Sequence, residues 1–305
     1  MIKKQNYLKH AIVLFLLLLL MQPERVWAAY ENVEFSSLTN HDGLTNSQVG
    51  AILKDTRGYI WFGTQSGLCR FDGFRMKTFY YINTDDKSLP NNSVDELQQD
   101  YGGNIWVHTS VGYCIYKYDE EQFERKPEEW LKNIHVQGPP YKLLIDKDKN
   151  MWIAVYGQGL YYHNAKTKNT YLFKFTKKAQ PGCLKEGNIS KITEVDGDAL
   201  ITYGDGTICR VNGQKQKVLW YNSFLATHKV AGDNGAYTFY DGIGGFWVSV
   251  SNANYVYQSK TGKWTDARSY LTNMGIDIPC PTRILMRDIA RDKAGNLWVA
   301  SDHNG

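Results

Sequence analysis

The sequence has little cysteine, and its five cysteines do not form a disulfide framework. Cys69, Cys114 and Cys209 recur at one position of a repeat described below, and equivalent positions in separate repeats lie farther apart than the roughly 7 Å between Cα atoms that a disulfide tolerates. We therefore expect them to be small buried apolar residues. Cys183 and Cys280 fall in loops and could pair only if those loops meet. No spacing resembles a zinc site, and we predict no metal or cofactor.

A long hydrophobic run is also absent. Residues 11–21 are apolar and uncharged, but a membrane-spanning helix needs about 20 such residues. Three lysines lie in residues 1–10, and Val26-Trp27-Ala28 offers a small-residue cleavage site. Residues 1–28 are therefore predicted to be a secretory signal peptide that exports the chain to the periplasm, with an uncleaved anchor as the alternative.

An excess of one charge is absent once this segment is set aside. Four of the 35 Lys and Arg residues and one of the 31 Asp and Glu residues lie in residues 1–28, which leaves a net charge of +1. No polybasic patch remains. The composition therefore argues against a nucleic-acid partner or an anionic membrane surface.

What the sequence does contain is one pattern repeated six times. The clearest copy, Gln48 to Asp72, has an apolar run, a turn with Asp and Gly, a second run centred on Trp61, another turn and a third run. The position of Trp61 recurs at steps of 45, 46, 48, 47 and 51 residues, as Trp106, Trp152, Leu200, Trp247 and Trp298. Such a period, with four short strands in each copy, predicts a β-propeller.

We accordingly predict an all-β fold, a β-propeller of four-stranded blades with five complete blades and a partial sixth. The copies span about 48–81, 93–126, 140–175, 189–222, 234–267 and 284–305. Residues 33–38 form a strand-like segment of the kind that closes a ring by joining the last blade. Because the sixth copy stops before its third strand, we expect residues 29–305 to be an incomplete propeller, truncated from a seven-bladed one.

Two turn residues accompany the central Trp. Six residues before it stands an Asp, which we expect to accept hydrogen bonds from N–H groups of its own turn; these are Asp55, Asp100, Asp146, Asp241 and Asp292, with Glu194 in the fourth copy. Three residues before it stands a Gly, which suits a positive φ, except that Lys149 predicts a strained or different turn. The Trp itself is expected to fill the space between blades rather than to stack on a ligand.

The first copy resembles the two-component regulator propeller repeat, in the segment Leu38-Thr-Asn-His-Asp-Gly-Leu-Thr-Asn-Ser-Gln-Val49 and again in Ile52-Leu-Lys-Asp-Thr-Arg-Gly-Tyr-Ile-Trp61-Phe-Gly-Thr-Gln-Ser-Gly-Leu-Cys-Arg-Phe-Asp72. The resemblance covers nearly all of the chain after the signal peptide and is weakest in the fourth copy. It implies the periplasmic half of a hybrid two-component sensor of glycan-degrading Bacteroidetes. Such a parent has two tandem seven-bladed propellers, an immunoglobulin-like domain, an inner-membrane helix and a histidine kinase, usually followed by a receiver and a DNA-binding domain.

None of those later parts lies in residues 1–305, so signalling is assigned only to the presumed parent. The resemblance implies an oligosaccharide ligand, the later domains of the parent as partners, and a possible homodimer of that parent. This chain itself is not expected to be an enzyme.

The loops at one mouth of a propeller usually form its working face. We expect an oligosaccharide to bind there through amide, aromatic and charged groups, and the candidates are Tyr141, Tyr156, Gln158, Asn252, Arg283 and His303. The structural alternative is that Asn and Asp in these loops serve turn geometry.

Two other functions stay open. The region could be a protein-interaction scaffold that binds no sugar. It could also be a sialidase-like or lyase propeller, because Asp-x-x-Gly-x-x-Trp is similar to the Asp-box of those enzymes. That chemistry needs an arginine cluster, an acid and a tyrosine nucleophile, whereas Arg is sparse here and no paired Glu/Asp motif recurs outside the turns. We assign no catalytic residue.

Overall fold

The computed structural model describes residues 38–177, 183–223, 237–250, 253–258, 261–275, 286–291 and 297–301. The chain divides into a unit of residues 1–37 and a unit of residues 38–305, and every described residue lies in the second. The predicted signal peptide and all but Leu38 of the predicted closing strand therefore lie outside the described residues. Within those residues, no helix has the length and apolar character needed to cross a membrane.

The described residues form a series of antiparallel sheets whose strands follow one another along the chain. The first sheet contains β1 (Val49–Lys54), β2 (Ile60–Thr64), β3 (Gly67–Phe71) and β4 (Met76–Phe79); the second contains β5 (Val94–Gln99), β6 (Ile105–Thr109), β7 (Gly112–Lys117) and β8 (Gln122–Glu124). The third contains β9 (Pro140–Ile145), β10 (Met151–Val155), β11 (Gly159–His163) and β12 (Thr170–Thr176), extended by the short parallel strand β13 (Leu184–Lys185).

The fourth sheet contains β14 (Ile189–Val195), β15 (Asp198–Tyr203), β16 (Ile208–Asn212) and β17 (Lys217–Asn222). The fifth contains β18 (Tyr237–Tyr240), β19 (Gly245–Val250), β20 (Ala253–Gln258) and β21 (Lys263–Asp266), and β22 (Met286–Arg291) pairs with β23 (Leu297–Ser301). A 3₁₀ turn (Asn40–Asp42) precedes the sheets, and two short helices follow the second and fifth, Pro127–Lys132 and Ala267–Asn273. This confirms the predicted all-β fold of four-stranded propeller blades.

The first strand of each sheet contacts the first strand of the next, in the order β1, β5, β9, β14, β18 and β22. The second strands lie deeper, and every residue of β10 and β15 is buried. Their apolar runs are continuous because both faces of such a strand pack against other chain segments. The core thus lies between successive sheets, as where Trp61 packs in one cluster with Val94 and Tyr116 of the second sheet.

In the first, second, third and fifth sheets, the repeat tryptophan is hydrogen-bonded to the Asp six residues before it, whereas Asp292 of the sixth copy lies outside the described residues. The indole N–H donates to one carboxylate oxygen at 2.8 Å for Trp61 and Asp55, and at 3.1, 3.4 and 3.2 Å in the second, third and fifth sheets. The other oxygen of Asp55 accepts the backbone N–H groups of Arg57 and Tyr59 at 2.9 and 3.0 Å. The turn role predicted for these aspartates is confirmed, and the indole bond adds a second role that was not predicted.

The fourth sheet has neither the aspartate nor the indole, since Glu194 and Leu200 stand at these positions. Leu200 is fully buried at the tryptophan position, and Glu194 reaches away to the neighbouring turn, where it accepts the N–H of Lys147 at 2.8 Å. An indole buried without an acceptor would leave an unpaired donor, so a leucine suits the altered site. Asp198, on the next strand, instead accepts from Arg210 Nε at 2.6 Å.

Lys149 keeps the turn that Gly58 and Gly103 form. Its φ is 64°, and its N–H donates to Asp146 O at 2.9 Å, as the N–H of Gly58 does to Asp55 O at 3.1 Å. Of the two alternatives predicted for Lys149, a strained residue is therefore confirmed and a different turn is wrong. The ammonium group donates to Gln99 O at 3.0 Å, which offsets part of the strain.

The predicted burial of Cys69, Cys114 and Cys209 is confirmed, since none of the three is exposed. Burial raises the pKa of the Cys114 and Cys209 thiols, so both stay protonated and act as apolar groups. Cys183 is a free thiol, and Cys280 lies outside the described residues.

Candidate functional site

A β-bulge recurs near the start of the first strands, at the end of the sheets where the predicted site lies. The pairing register shifts by one residue at the same place in five sheets, and the extra residues are Gly50, Asp95, Tyr141, Ser190 and Arg287. A bulge of this kind redirects a side chain and often lies next to a binding site. Because the five residues differ in chemistry, this position can give each blade a different contact.

Tyr141 occupies the bulge of the third sheet and stacks on Tyr156. The ring centroids are 4.0 Å apart with 19° between the planes. Tyr156 follows β10 directly, so the antiparallel pairing of β9 and β10 brings the two residues to one end of the sheet. Tyr156 is 68% exposed, whereas Tyr141 is half-buried and accepts the N–H of Ile189 from the fourth sheet at 3.3 Å.

The stacking on Tyr141, which is itself hydrogen-bonded to Ile189, fixes the position of the Tyr156 ring. Burial raises the pKa of Tyr141, with an opposing contribution from the Ile189 N–H bond, so its hydroxyl stays protonated at neutral pH. One face of Tyr156 rests on Tyr141, and most of the remaining side chain is open to solvent. A rigid tyrosine of this kind gives a ligand contact area at a low cost in conformational entropy.

Gln158, the third described candidate, forms hydrogen bonds that stabilise the loop beside Tyr141 and Tyr156. Its Nε2 donates to Gln137 O at 2.8 Å, and its Oε1 accepts from the Tyr161 hydroxyl at 2.5 Å. Both ends of the carboxamide are therefore engaged within the chain. The remaining candidates, Asn252, Arg283 and His303, lie outside the described residues.

A polar network between the second and third sheets lies near the same end, and sequence reasoning missed it. The Tyr113 hydroxyl donates to Glu96 Oε2 at 2.7 Å and accepts the N–H of Leu143 at 3.1 Å. Lys142, the neighbour of Tyr141, donates to Glu96 Oε1 at 2.9 Å. Burial, followed by the charge of Glu96, raises the pKa of Tyr113 well above its ordinary value, so this phenol remains a donor.

The bulge residue of the second sheet extends this network. His108 Nδ1 lies 2.6 Å from Asp95 Oδ1, and the two rings of His108 and Tyr113 are 4.5 Å apart. Burial, the largest influence, acts to raise the pKa of Asp95, but the hydrogen bond and electrostatic interaction with His108 bring it below its ordinary value. The sequence signal for this network is a pair of polar residues, Asp95 and His108, on the neighbouring strands β5 and β6. It can be recognised only when the register shift at the bulge is known.

The geometry thus offers an exposed aromatic face next to a bulge, with polar groups on the neighbouring sheet. Aromatic surfaces combined with a few fixed polar groups are typical of small-ligand sites. The arrangement is suited to binding and orienting a ligand that has both an apolar face and hydroxyl groups.

Known proteins include a family with this repeat and solved structures with this fold. Residues 43–66 match the family model described as two component regulator propeller, so the resemblance recognised in the first copy is confirmed. A search of curated proteins gave no match.

Solved structures share the fold over most of the chain. The extracellular domain of a putative hybrid two component system from B. thetaiotaomicron is 22% identical, with a TM-score of 0.60, over 88% of this chain and 34% of that one. PorZ, a surface component of the type-IX secretion system of Porphyromonas gingivalis, is 12% identical, with a TM-score of 0.52, over 86% of this chain and 31% of that one. The chain spans about a third of the length of each.

Proposed function

We propose that this chain, which carries a two component regulator propeller repeat, is the ligand-binding propeller region of an extracytoplasmic sensor and that its ligand is an oligosaccharide. The observation that carries the proposal is the exposed Tyr156 ring stacked on Tyr141 at a bulge of the first-strand end. A pyranose ring has an apolar face that fits an aromatic ring, and its hydroxyls fit nearby amides and carboxylates.

The surroundings of the pair support a neutral polyhydroxylated ligand. The nearby charges on Glu96 and Lys142 are paired with each other at 2.9 Å, so the network offers oriented donors and acceptors without a large net charge. Ser190 is the bulge residue of the fourth sheet, and its hydroxyl, which donates to Thr202 O at 3.0 Å, can still accept a hydrogen bond.

The cellular setting is part of the same proposal. The predicted signal peptide and the family repeat support a periplasmic location, in a longer sensor anchored in the inner membrane whose kinase and later domains act as partners. A ligand shifts such a sensor, which we take to be a homodimer, only through different affinities for its two states. The chain itself performs no catalysis in this proposal.

Calorimetric titration of the chain with a panel of plant and host oligosaccharides tests the proposal. We expect at least one oligosaccharide to bind, and Tyr156→Ala to weaken it about tenfold or more, because truncating a tyrosine that anchors a binding site costs about 2 kcal/mol. Tyr80→Ala is the matched control, since Tyr80 is also an exposed tyrosine but follows the fourth strand of the first sheet. The absence of binding to every oligosaccharide would contradict the proposal.

Turnover of an oligosaccharide in the same titration would instead support an enzyme. Capture of a protein partner with no response to sugar would support the interaction scaffold.

A further inference from the structure

In three sheets the repeat tryptophan is covered edge-on by an aromatic ring from a segment later in the chain. Tyr118 covers Trp61 at 6.0 Å and 84°, Trp130 covers Trp106 at 5.4 Å and 82°, and Tyr270 covers Trp247 at 5.6 Å and 88°; each pair is T-shaped. The hydroxyls of Tyr118 and Tyr270 also donate to the aspartates that hold Trp61 and Trp247. The ring from outside thus closes the space beside each tryptophan.

The third sheet is built differently at this place. The rings near Trp152 belong to its own sheet, with Tyr162 at 4.5 Å and Phe173 at 6.4 Å. The next sheet brings Gly213 against Tyr162, so close that a Cβ atom on Gly213 would lie 2.5 Å from that ring. Among the described residues, no ring from beyond the third sheet takes the covering position on Trp152.

A cleft lies beside this part of the third sheet, and Tyr162 and Gly213 line it while Trp152 is fully buried. It has a volume of about 600 Å³ and lies between the turns of the third sheet and the β16–β17 turn of the fourth. Its volume falls within the range of roughly 300 to 1,000 Å³ that is usual for small-ligand sites. The cleft lies at the β9–β10 turn, which is the opposite end of the sheet from Tyr141 and Tyr156.

The walls of the cleft are fixed by hydrogen bonds within the turns. Asn164 Oδ1 accepts the N–H groups of Lys166 and Thr167 at 3.0 and 2.8 Å, and its Nδ2 donates to the Tyr162 hydroxyl at 3.2 Å. On the facing turn, Asn212 Oδ1 accepts the N–H of Lys215 at 2.6 Å. The two turns therefore hold the backbone positions of the cleft before any ligand arrives.

The side chains that point from these turns are mostly neutral and can both donate and accept hydrogen bonds. The exposed lining includes Thr167, Asn169, Gln214 and Gln216, with half-buried Tyr171 as an aromatic wall. Asp148 and Lys166 add one charge of each sign. Carboxamides and hydroxyls of this kind suit a neutral ligand rich in hydroxyl groups rather than an ion or a purely apolar group.

We propose that this cleft is a second binding site, which takes one or two sugar rings of a neutral saccharide. The saccharide enters between the turns next to Tyr171, and Asn169 and Gln214 hydrogen-bond its hydroxyls. The proposal does not require the Tyr141–Tyr156 pair to bind anything, because the two places lie at opposite ends of the third sheet.

Saturation-transfer NMR on the full chain tests this site with four probes, namely cellobiose, maltose, xylobiose and N,N′-diacetylchitobiose. We expect at least one probe to bind, and the double variant Asn169→Ala with Gln214→Ala to weaken it about tenfold, as the loss of two hydrogen bonds predicts. Lys215→Ala is the matched control, because Lys215 lies on the same turn outside the lining. Thr167→Trp provides a second route, since its ring should fill the cleft and block the probe.

Near-ultraviolet circular dichroism checks that each variant is folded. Binding that survives both the double variant and Thr167→Trp would overturn the second site, as would the failure of all four probes to bind. Tyr156→Ala separates the two sites: loss of the probe in Tyr156→Ala alone would assign it to the aromatic pair and overturn the cleft.

Discussion

The two ends of the sheets differ in what they repeat. At the turn between the first and second strands, four described sheets carry the same Asp and Trp with the same hydrogen bonds. At the bulge near the start of the first strand, the backbone repeats but the residue changes from Gly to Asp, Tyr, Ser and Arg. One end repeats side chains that build the blade, and the other repeats only a backbone position on which different contacts can be placed.

The fourth sheet shows how far the structural end can vary. It keeps four strands and a buried second strand although it has neither the aspartate nor the indole. The Asp–Trp pair is therefore not needed for a blade to form, provided that both residues are replaced together and no buried donor is left unpaired.

Removing the acid alone should have the largest effect. Asp100 is buried and accepts from two backbone N–H groups, from the Asn104 side chain and from the Trp106 indole. We expect Asp100→Ala to lower the free energy of unfolding by about 3 to 5 kcal/mol, because several buried donors lose their acceptor. Denaturant titration measures this change. Exposed Asp119→Ala is the control, and equal effects of the two substitutions would contradict the structural role of Asp100.

Restoring the indole alone should also destabilise the chain. Leu200 is buried in one cluster with Ile208 and Phe246, and Glu194 is engaged elsewhere. We expect Leu200→Trp to lower the free energy of unfolding by about 1 to 3 kcal/mol through overpacking and an unpaired indole N–H. Leu200→Met is the conservative control in the same titration. A tryptophan that stabilises the fourth sheet would show that the acid and the indole act independently.

The turn glycine should matter less than either. Gly103 has a φ of 86°, and Lys149 holds the equivalent position at 64°. We expect Gly103→Lys to lower the free energy of unfolding by about 1 kcal/mol, because left-handed backbone is costly for a residue with a Cβ atom. Lys149→Gly should change the free energy of unfolding by less, because the relief of strain is offset by the lost bond to Gln99 O. Thermal melting of both variants checks the order, and a larger effect at Lys149 would contradict it.

The network at the bulge end should give a small pH effect. The pKa of Asp95 is lowered in the folded chain from an ordinary value of 3.8. Its bond to His108 therefore stabilises the fold above that value, and the contribution is lost as the pH falls through the lowered pKa. We expect Asp95→Asn to show less loss of stability than the unmodified chain between about pH 5 and pH 2. Identical pH profiles of the unfolding free energy would remove Asp95 from the network.

Much of the structural end could be predicted from the sequence, because its residues recur at fixed spacing. The position of Trp61 and the turn role of Asp55 follow from local pattern alone. The indole bond was not predicted, since it depends on how the turn folds back over the second strand. Lys149 was recognised as an exception, but only the structure shows that it adopts the positive φ of the turn glycines.

The bulge end of the sheets was less predictable, because its contacts join residues on different strands and in different sheets. Tyr141 and Tyr156 were chosen separately, and their stacking depends on the bulge that pairing creates. Asp95 and His108 were missed because a one-residue register shift decides which way Asp95 points. The covering rings of Tyr118, Trp130 and Tyr270 come from outside the repeat pattern, so the cleft beside Gly213 had no sequence signal.

The central claim is that the repeated Asp–Trp pairs support folding and the Tyr141–Tyr156 pair carries oligosaccharide binding, and one measurement on two variants tests it most directly. Unfolding free energy and oligosaccharide affinity should be determined together for Trp106→Phe and Tyr156→Ala. We predict that Trp106→Phe lowers the free energy of unfolding by about 1 to 2 kcal/mol, through the lost indole bond, and keeps the affinity. Tyr156→Ala should change stability by less than about 0.5 kcal/mol and lose most of the affinity. Loss of affinity in Trp106→Phe with unchanged binding in Tyr156→Ala would contradict the account.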